Sequence, residues 1–359
     1  MDRDTSKAGT GDPRFYVVGG AVQPERDCYI SRSADAELLR LLADGEYCYV
    51  LAQRQMGKSS LVAATAARLR ALEVGVAVVD LTQASAEDPT ENAGRWYYSI
   101  AYRICRDLRL RADLQTWWAE RGGLTNLQRL REFFQEIVLD GTERPVTVFF
   151  DRVEATLEAP LALDLFACVR ACYDARATNP EFARLTFALF SAAAPRELVR
   201  SLQGSPFEIA ESVALNDFTP QEMAGLMGGL GTPPDYAEEI NARVWSWTRG
   251  HPYLSQKVFR GLARRADAEL TPDAVDELVR TQFLTSQALH DEPHLAAIAA
   301  EILRDTPTRT ARLNLYGRIS KGIRVRAEPR SAAEQELVVA GLVVVAPNGE
   351  LRVRNEIYA

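Results

Sequence analysis

The sequence is poor in cysteine and histidine, and it lacks any long apolar run. Its five cysteines show no paired C-x-x-C spacing, which argues against a disulfide framework or a zinc site. Two of its three histidines, His290 and His294, share helical i, i+4 spacing, but no third ligand is evident and a metal site is not expected. No stretch reaches the ~20 apolar residues that cross a bilayer, and no signal-peptide pattern opens the chain. These absences predict a cytoplasmic protein.

The overall composition is that of a globular protein. With 359 residues, 47% hydrophobic and 25% charged, the chain is unlike disordered or fibrous sequences. Its length predicts two or three domains, each with its own core. The formal net charge of −7 argues against a protein built mainly to coat nucleic acid.

The first two thirds of the chain alternate strand and helix patterns. Short runs of strand-forming residues are bounded by turn residues, and stretches with helical spacing separate them. The predicted strands cover residues 47–52, 76–82, 146–151, 185–193 and 207–215. A long helical stretch is expected from about Asn92 to Leu139, with breaks near Gly122-Gly123. This alternation predicts an α/β protein with a doubly wound parallel sheet.

The pattern changes at Thr219. Helices alone are predicted from there, and proline and glycine separate them. Near the end, Pro347-Asn348-Gly349 predicts a hairpin turn between two short strands. Helices followed by such a hairpin favour a winged-helix module.

Residues 52–59, with the sequence AQRQMGKS, carry the sharpest chemical signal. They fit the phosphate-binding loop pattern GxxxxGK[ST], except that Ala52 replaces the first glycine. Gly57 lets backbone N–H groups curl around phosphate oxygens, and the loop feeds a helix N-terminus that favours an anion. Lys58 would reach the β- and γ-phosphates, and the Ser59 hydroxyl would bind Mg²⁺. A predicted strand before the loop and a predicted helix after it supply the context that this motif needs.

An acidic residue at the end of a predicted strand also indicates a nucleotide site. The apolar run VTVFFD ends in Asp151, which is suited to order Mg²⁺ and its bound water. The alternative is a strand-end aspartate that caps a turn. The phosphate-binding loop upstream favours the Mg²⁺ role.

Several segments together resemble a known family, the bacterial AAA-like signal-transduction NTPases of the STAND class. The segments that carry the resemblance are YISRSADAELLRLLADGEYCYVLAQRQMGKSSL, FFDRVEA, RLTFALFSAAAPRELV, SPFEIAESVALNDFT, VWSWTRGHPYLSQKV and the tail LNLYGRISKG with LVVAGLVVVAPNGELRVRNEIY. The resemblance implies an N-terminal arm (1–28), a P-loop NTPase core (29–217), a helical lid domain (218–285) and a winged helix (286–359). It also implies a nucleotide-dependent switch in signalling or defence, joined to effector or sensor domains.

The resemblance further implies which residues form the site. The expected ligands are ATP or ADP with Mg²⁺, and ATP is favoured over GTP only by the resemblance. The implied nucleotide-binding positions are Ile30 and Arg32 beside the adenine, Gln55, Met56, Gly57, Lys58, Ser59 and Ser60 in the loop, Ser191 near the γ-phosphate, and His251 with Pro252 near the base or sugar. Ser59 and Asp151 are the implied Mg²⁺ ligands. Ile30 as plain core and Pro252 as a helix N1 proline remain alternatives.

The chain departs from the family pattern directly after Asp151. The family usually has a glutamate there to polarise the attacking water, whereas this chain has Arg152, which cannot act as a base. Arg152 could instead pair with phosphate oxygens, and Glu154 is the candidate catalytic substitute. We therefore expect hydrolysis to be slow or absent, so the chain's standing as an enzyme is open.

Two other functions compete with the switch. One is an inactive NTPase fold that acts as a scaffold for protein partners. The other is DNA binding through the winged helix, where basic residues are dense. These are Arg309, Arg312, Arg318, Lys321, Arg324, Arg326 and Arg330, against the single acid Glu328. The acidic chain makes DNA the less favoured partner, and protein partners in cis or in trans the more favoured. Self-assembly is left open, and no membrane contact is expected.

Overall fold

The computed structural model describes residues 11–83, 93–156, 160–192, 206–231, 234–265 and 270–359. Their contacts divide the chain into two compact units. The sheet unit contains Ser33–Ala52 and Leu61–Leu215. The helix–wing unit contains the residues up to Arg32, the loop Gln53–Ser60 and Asn216–Ala359.

The sheet unit is built on five parallel strands. Their spatial order is β2-β3-β4-β1-β5. The strands are β1 (Cys48–Leu51), β2 (Gly75–Asp80), β3 (Val146–Asp151), β4 (Leu185–Ser191) and β5 (Glu211–Ser212). Every residue of β3 and β4 is buried, as expected for parallel strands covered on both faces. This confirms the predicted α/β fold.

The fifth strand is shorter than the sequence suggests. A strand was expected over residues 207–215, but pairing with β1 is confined to Glu211–Ser212. Pro206–Glu208 forms a 3₁₀ turn instead, and both residues of β5 are exposed. A polar edge strand that starts after a proline turn has few residues left to pair.

Six α-helices belong wholly or partly to the described sheet unit. They are α1 (Ser33–Ala43), α2 (Lys58–Ala71), α3 (Ala93–Leu108), α4 (Leu114–Glu120), α5 (Asn126–Glu132) and α6 (Pro160–Ala175). The helical stretch expected over residues 92–139 is interrupted near Gly122-Gly123, as predicted, and also between Leu108 and Leu114, which was not predicted. Asn92 lies outside the described residues. Asp113 caps α4, and Thr125 with Gln128 forms a capping box on α5. Local caps thus restart the helix twice.

Aromatic side chains fill the core of the sheet unit. Trp96, Tyr97 and Trp118 are buried in one apolar cluster with Phe150 of β3 and Phe187 of β4. The cysteines Cys168 and Cys172 lie in the same cluster. Large aromatic side chains thus supply much of this core.

The helix–wing unit carries eight described α-helices. They are α7 (Pro220–Met223), α8 (Pro234–Thr248), α9 (Pro252–Ala263), α10 (Pro272–Phe283), α11 (Ala288–Asp291), α12 (Pro293–Leu303), α13 (Arg309–Ser320) and α14 (Ala332–Val339). Five of them begin at a proline, a residue suited to the first helical position. The helix expected from Pro220 changes to a 3₁₀ turn at Ala224–Gly229, where three glycines weaken it.

The chain ends in the predicted β-hairpin. Strands β6 (Val343–Val345) and β7 (Leu351–Val353) pair antiparallel. Arg326 forms an isolated antiparallel bridge with Glu350, the residue before β7. With the preceding helices this hairpin forms the winged helix. None of the described helices combines the length and the apolarity that a bilayer crossing requires.

Candidate functional site

The loop Gln53–Ser60 follows β1 and runs into α2. Its backbone contains two left-handed residues, Gln55 at φ 63° and Gly57 at φ 87°. A left-handed conformation costs a non-glycine residue about 1–2 kcal/mol, so the strain at Gln55 marks a shape held by its surroundings. Lys58 then begins the helix. A turn of this kind at a helix N-terminus points N–H groups toward an anion.

Side chains of the loop are anchored to its own backbone and to the segment before Arg32. The Lys58 ammonium donates to the Gln53 carbonyl oxygen at 2.9 Å. The Ser60 hydroxyl accepts from the Val22 N–H at 2.9 Å. Within the helix–wing unit, the predicted loop residues therefore form one organised turn.

Arg32 is buried against this loop. Its Nη1 donates to the Met56 carbonyl oxygen at 2.9 Å and to the Asn216 carbonyl oxygen at 3.2 Å, and its guanidinium lies 5.3 Å from the centre of the Phe218 ring. A Cβ at Gly57 would come within 2.9 Å of Arg32 Nη2. The φ angle of Gly57 therefore favours glycine, and a side chain there would also have to displace the end of the Arg32 side chain.

Ile30 lies in an apolar setting. It packs against the hydrophobic cluster of the helix–wing unit, and its Cδ1 is 2.8 Å from where a Cβ on Gly225 would lie. This is the core placement that the sequence left open beside the adenine role.

Sequence reasoning missed Arg354, which lies directly after the wing strand β7. Its side chain is only 4% exposed and makes a bidentate ion pair with Asp217, with Nε–Oδ2 at 3.1 Å and Nη2–Oδ1 at 2.7 Å. Nη1 donates to Gln53 Oε1 at 3.3 Å, and Nη2 contacts Met56 Sδ at 2.7 Å. The winged helix therefore touches the phosphate-binding loop through a charged group.

A second contact of the winged helix reinforces the first. The Gln53 amide nitrogen donates to the Val338 carbonyl oxygen, at the end of α14, at 3.1 Å. Asp217 and Arg354 are 137 positions apart, and no spacing rule connects them. Only the tertiary structure reveals this pair.

The motif Gly250-His251-Pro252 has a clear structural role. Gly250 has φ +77°, and a Cβ there would lie 1.9 Å from the Phe218 carbonyl oxygen. The Phe218 N–H donates to the Gly250 carbonyl oxygen at 2.9 Å. Pro252 occupies the first position of α9, as the structural alternative proposed. The motif thus fixes the segment that also holds Arg32 and Arg354.

His251 and His294 lie together beneath Arg354. Their ring centres are 5.1 Å apart, and His294 shares a hydrogen bond with the Tyr358 hydroxyl. Burial, then Arg354 and then His294, lower the pKa of His251 well below its usual value. Burial first, and then Arg354 and Lys257, lower the pKa of His294 to about 4. Both imidazoles are therefore neutral at pH 7.

In the sheet unit, two aspartates end neighbouring strands. Asp151 closes β3 in register with Asp80, which closes β2. Asp151 is buried, and its Oδ1 accepts from the Arg152 N–H at 2.9 Å. Carboxylates at the carboxyl ends of parallel strands suit a magnesium–nucleotide site.

Ser191 ends β4 in the same sheet. Its carbonyl oxygen accepts from the Ala52 N–H at 3.2 Å, so β4 stays paired up to the residue before the loop. Its hydroxyl is buried and, within the residues that the structure describes, has no hydrogen-bond partner. Such a group normally finds a partner, and a ligand or water would supply one.

Arg152 and Glu154 lie beyond the strand, where the chain turns. β3 ends at Asp151, Arg152 is left-handed at φ 60°, and Glu154 lies in a 3₁₀ turn. The Arg152 guanidinium pairs with Asp80 at 3.4 Å and donates to the Thr82 hydroxyl at 3.3 Å.

The Glu154 carboxylate is also engaged in a hydrogen bond. Its Oε2 accepts from the Ala192 N–H at 2.9 Å, which anchors the end of β4. Across the described parts of the chain, no three acidic, histidine or cysteine side chains gather into a metal site. A magnesium ion here would thus depend on phosphate and water ligands, as is usual for this cation.

Comparison with known proteins places the chain in a family. Residues 17–337 match the AAA-like domain family. A WD repeat-containing protein of Synechocystis, itself uncharacterised, is 33% identical over 356 residues, which cover 96% of this chain. The chain spans 29% of the length of that relative.

Solved structures show the same fold at low sequence identity. A Walker-type ATPase of Pyrococcus abyssi has 15% identity and a TM-score of 0.59, and the match covers 96% of this chain and 98% of that one. The Aeropyrum pernix ORC2 protein, solved with ADPNP and ADP, has 17% identity and a TM-score of 0.56, and covers 97% and 94%. The chain belongs to the AAA-like domain family of P-loop NTPases.

Proposed function

We propose that this protein is a nucleotide-dependent switch. In this proposal ATP or ADP binds at the loop Gln53–Ser60 with Mg²⁺, and the winged helix responds to what the loop holds. The left-handed turn, the helix that starts at Lys58 and the family membership support nucleotide binding. The ADPNP and ADP reported for the Aeropyrum ORC2 protein support it as well.

The contact of Arg354 with Gln53 and Met56 carries the switch part of the proposal. A ligand that changes the position of these loop residues changes the energy of the winged-helix contact. Linkage then requires that the position of the winged helix changes the affinity for the ligand by the same factor. A buried charge makes this coupling large, because Arg354 must keep a partner in each state.

The remaining site residues take roles that follow the resemblance. Lys58 would bind the β- and γ-phosphates, and Ser59 with Asp151 would bind Mg²⁺. The Ser191 hydroxyl, which has no hydrogen-bond partner among the described residues, fits a group that senses phosphate. Ile30, Arg32, His251 and Pro252 would line the base and sugar.

Hydrolysis is slow in this proposal. Arg152 replaces the usual glutamate and is paired with Asp80, and the Glu154 carboxylate already accepts a backbone N–H. With neither side chain placed as a base, the general-base contribution of about 10²–10⁴-fold is lost. A bound nucleotide would then persist as a long-lived state.

The partner of the switch is expected to be a protein sensor or effector, in cis or in trans. The Synechocystis relative carries WD repeats by name, and this chain covers only part of it. A repeat domain that binds a partner is compatible with a role in signalling or defence. We also propose a cytoplasmic location, as expected from the sequence.

Nucleotide content is the first test. The purified protein is denatured, and the released small molecules are separated by chromatography. We expect about one equivalent of ADP or ATP, and calorimetric binding of Mg²⁺-ADP that Lys58→Ala abolishes. Absence of nucleotide together with absence of calorimetric binding would refute the switch and leave the scaffold function.

A second measurement tests the winged-helix response. Hydrogen exchange of the segment from Val338 to Arg354 is recorded with and without Mg²⁺-ADP. We expect a change in exchange that Lys58→Ala removes. Binding of nucleotide without any change there would show a nucleotide-binding protein that does not switch through this contact.

A further inference from the structure

A group of basic side chains on the winged helix has no acidic partner among the residues that the structure describes. We call it the basic wing face. Its members are exposed and lie at the end of α13, in the segment that follows it and on β7. They are Arg318, Lys321, Arg324, Arg326, Arg330 and Arg352.

These six differ from the other basic residues of the module. In the part of the chain that the structure describes, no acidic group pairs with any of them. By contrast, Arg304 pairs with Glu301 at 2.9 Å and Arg309 pairs with Asp305 at 3.6 Å. The paired and unpaired cations differ in place along the chain, because the unpaired ones lie between residues 318 and 330 or on β7.

Backbone contacts bring the two segments of the face together. The Leu351 N–H donates to the Val325 carbonyl oxygen at 2.8 Å, and Arg326 forms an isolated bridge with Glu350. Arg324 and Arg352 are the residues next to this hydrogen-bonded pair on the two segments. Like charges on neighbouring extended segments repel each other unless an anion compensates them. The acid Glu350 is already bonded to the Asn348 amide at 3.0 Å.

Two members of the basic stripe counted from the sequence do not belong to the face. Arg312 is 1% exposed, pairs with Glu336, and donates to the carbonyl oxygens of Ile302 and Arg304 at 3.0 and 2.7 Å, so it is structural. Arg309 pairs with Asp305 at 3.6 Å. The face therefore loses Arg309 and Arg312 and gains Arg352, which the sequence count left out.

We propose that the basic wing face binds the phosphate backbone of duplex DNA. Five of its six cations are arginines, whose planar guanidinium matches phosphate oxygens. Protein interfaces instead need an apolar or aromatic centre, whereas the exposed large apolar side chains on residues 318–330 and on the hairpin are only Ile323 and Val345. The net charge of −7 argued against nucleic-acid binding, but this value is a sum over the whole chain and does not describe the charge of one face.

Binding is expected to be independent of base sequence. The C-terminal end of α14 is held at the phosphate-binding loop through Gln53 and Val338, so this helix is engaged within the protein. The wing and the end of α13 are left to contact the backbone. Contacts of this type position a protein on the duplex and do not read bases.

The test measures fluorescence anisotropy of a labelled 30-base-pair duplex with the full chain at several salt concentrations. We expect a Kd of about 1–100 µM near physiological salt, a similar affinity for unrelated sequences, and a fall in log K with log salt. The double variant Arg324→Glu/Arg352→Glu should bind at least tenfold more weakly and lower the salt slope by about two.

The matched control is Arg304→Glu/Arg309→Glu. It makes the same change in net charge in the same module, at exposed cations that are already paired. It should bind DNA within about twofold of wild type, and circular dichroism should show both variants folded. Equal weakening by both pairs would reduce the effect to net charge and overturn the proposal.

Two other results also contradict it. One is absence of DNA binding at 50 mM salt. The other is binding to vesicles of phosphatidylglycerol, lost in Arg324→Glu/Arg352→Glu, without binding to DNA; the face would then recognise an anionic membrane. Because Lys58→Ala leaves the basic wing face intact, DNA binding by that variant would separate this proposal from the nucleotide switch.

Discussion

Replacing Arg354 by methionine should uncouple the winged helix from the phosphate-binding loop. The side chain is 4% exposed, and Asp217, its bidentate partner, is 26% exposed. Breaking a fully buried pair by removing one member costs about 3–5 kcal/mol, and partial exposure of Asp217 lowers this value. Loss of the Gln53 hydrogen bond adds about 1 kcal/mol. We expect the free energy of unfolding to fall by roughly 3 kcal/mol in urea denaturation.

The matched control is Arg352→Met, two residues earlier. Arg352 is the same residue type on the adjoining strand, but it is exposed. A surface substitution of this kind changes stability by about 0.5 kcal/mol or less. A loss of similar size in both variants would show that the strand, and not the buried ion pair, governs the effect.

A double-mutant cycle isolates the pair itself. Asp217→Asn and Arg354→Met are measured singly and together, and the expected coupling is at least about 1 kcal/mol. In parallel, fluorescent ADP should bind Arg354→Met about five- to tenfold more weakly, because Gln53 and Met56 lose the group that holds them. Additivity within about 0.5 kcal/mol, combined with unchanged ADP affinity, would refute the reasoning.

Three further predictions address hydrolysis, pH and backbone strain. Arg152→Glu should raise ATP turnover by at least tenfold in a phosphate-release assay, and Lys58→Ala should abolish the gain; brisk wild-type turnover that needs Lys58 would contradict the slow-hydrolysis prediction. The pKa of His294, about 4 when folded against 6.5 unfolded, means that the unfolded chain binds more protons between these values, so stability is complete above pH 6.5 and falls as pH drops toward 4. His294→Gln should flatten that slope in pH-dependent urea titrations, and an unchanged slope would exclude His294 as its source. Gly250→Ala should cost at least about 3 kcal/mol, since φ is +77° and a backbone carbonyl oxygen lies 1.9 Å from the new Cβ, whereas Gly317→Ala, in open space on a helix, should stabilise by about 1 kcal/mol.

Local sequence patterns predicted the parts of this protein that depend on neighbours along the chain. The apolar runs of β3 and β4 are long enough to be buried on both faces, and they formed strands as expected. Gly57 and Lys58 predicted the phosphate-binding loop, because the turn requires glycine and the start of the helix requires lysine at that spacing. The Pro347–Gly349 turn likewise predicted the hairpin.

The site roles assigned by resemblance remain predictions of a different kind. Gly57 and Gly250 have demonstrated backbone reasons for their identity, through their φ angles and close contacts. Ile30 is partly buried and His251 is buried, which fits a role beside a nucleotide and also fits a plain core. The nucleotide-content measurement distinguishes these cases.

Only the tertiary structure decided which arginine side chains are buried in ion pairs and which are exposed. Nothing in the sequence distinguishes Arg312 and Arg354, which are buried and paired, from Arg324 and Arg352, which are exposed and have no ion pair with a described residue. Composition and spacing determined the fold class and the loop, because both follow from hydrophobic period and turn chemistry. The partner of each arginine depends on which distant acid the fold brings within about 3 Å, and such distances exist only once the chain is packed.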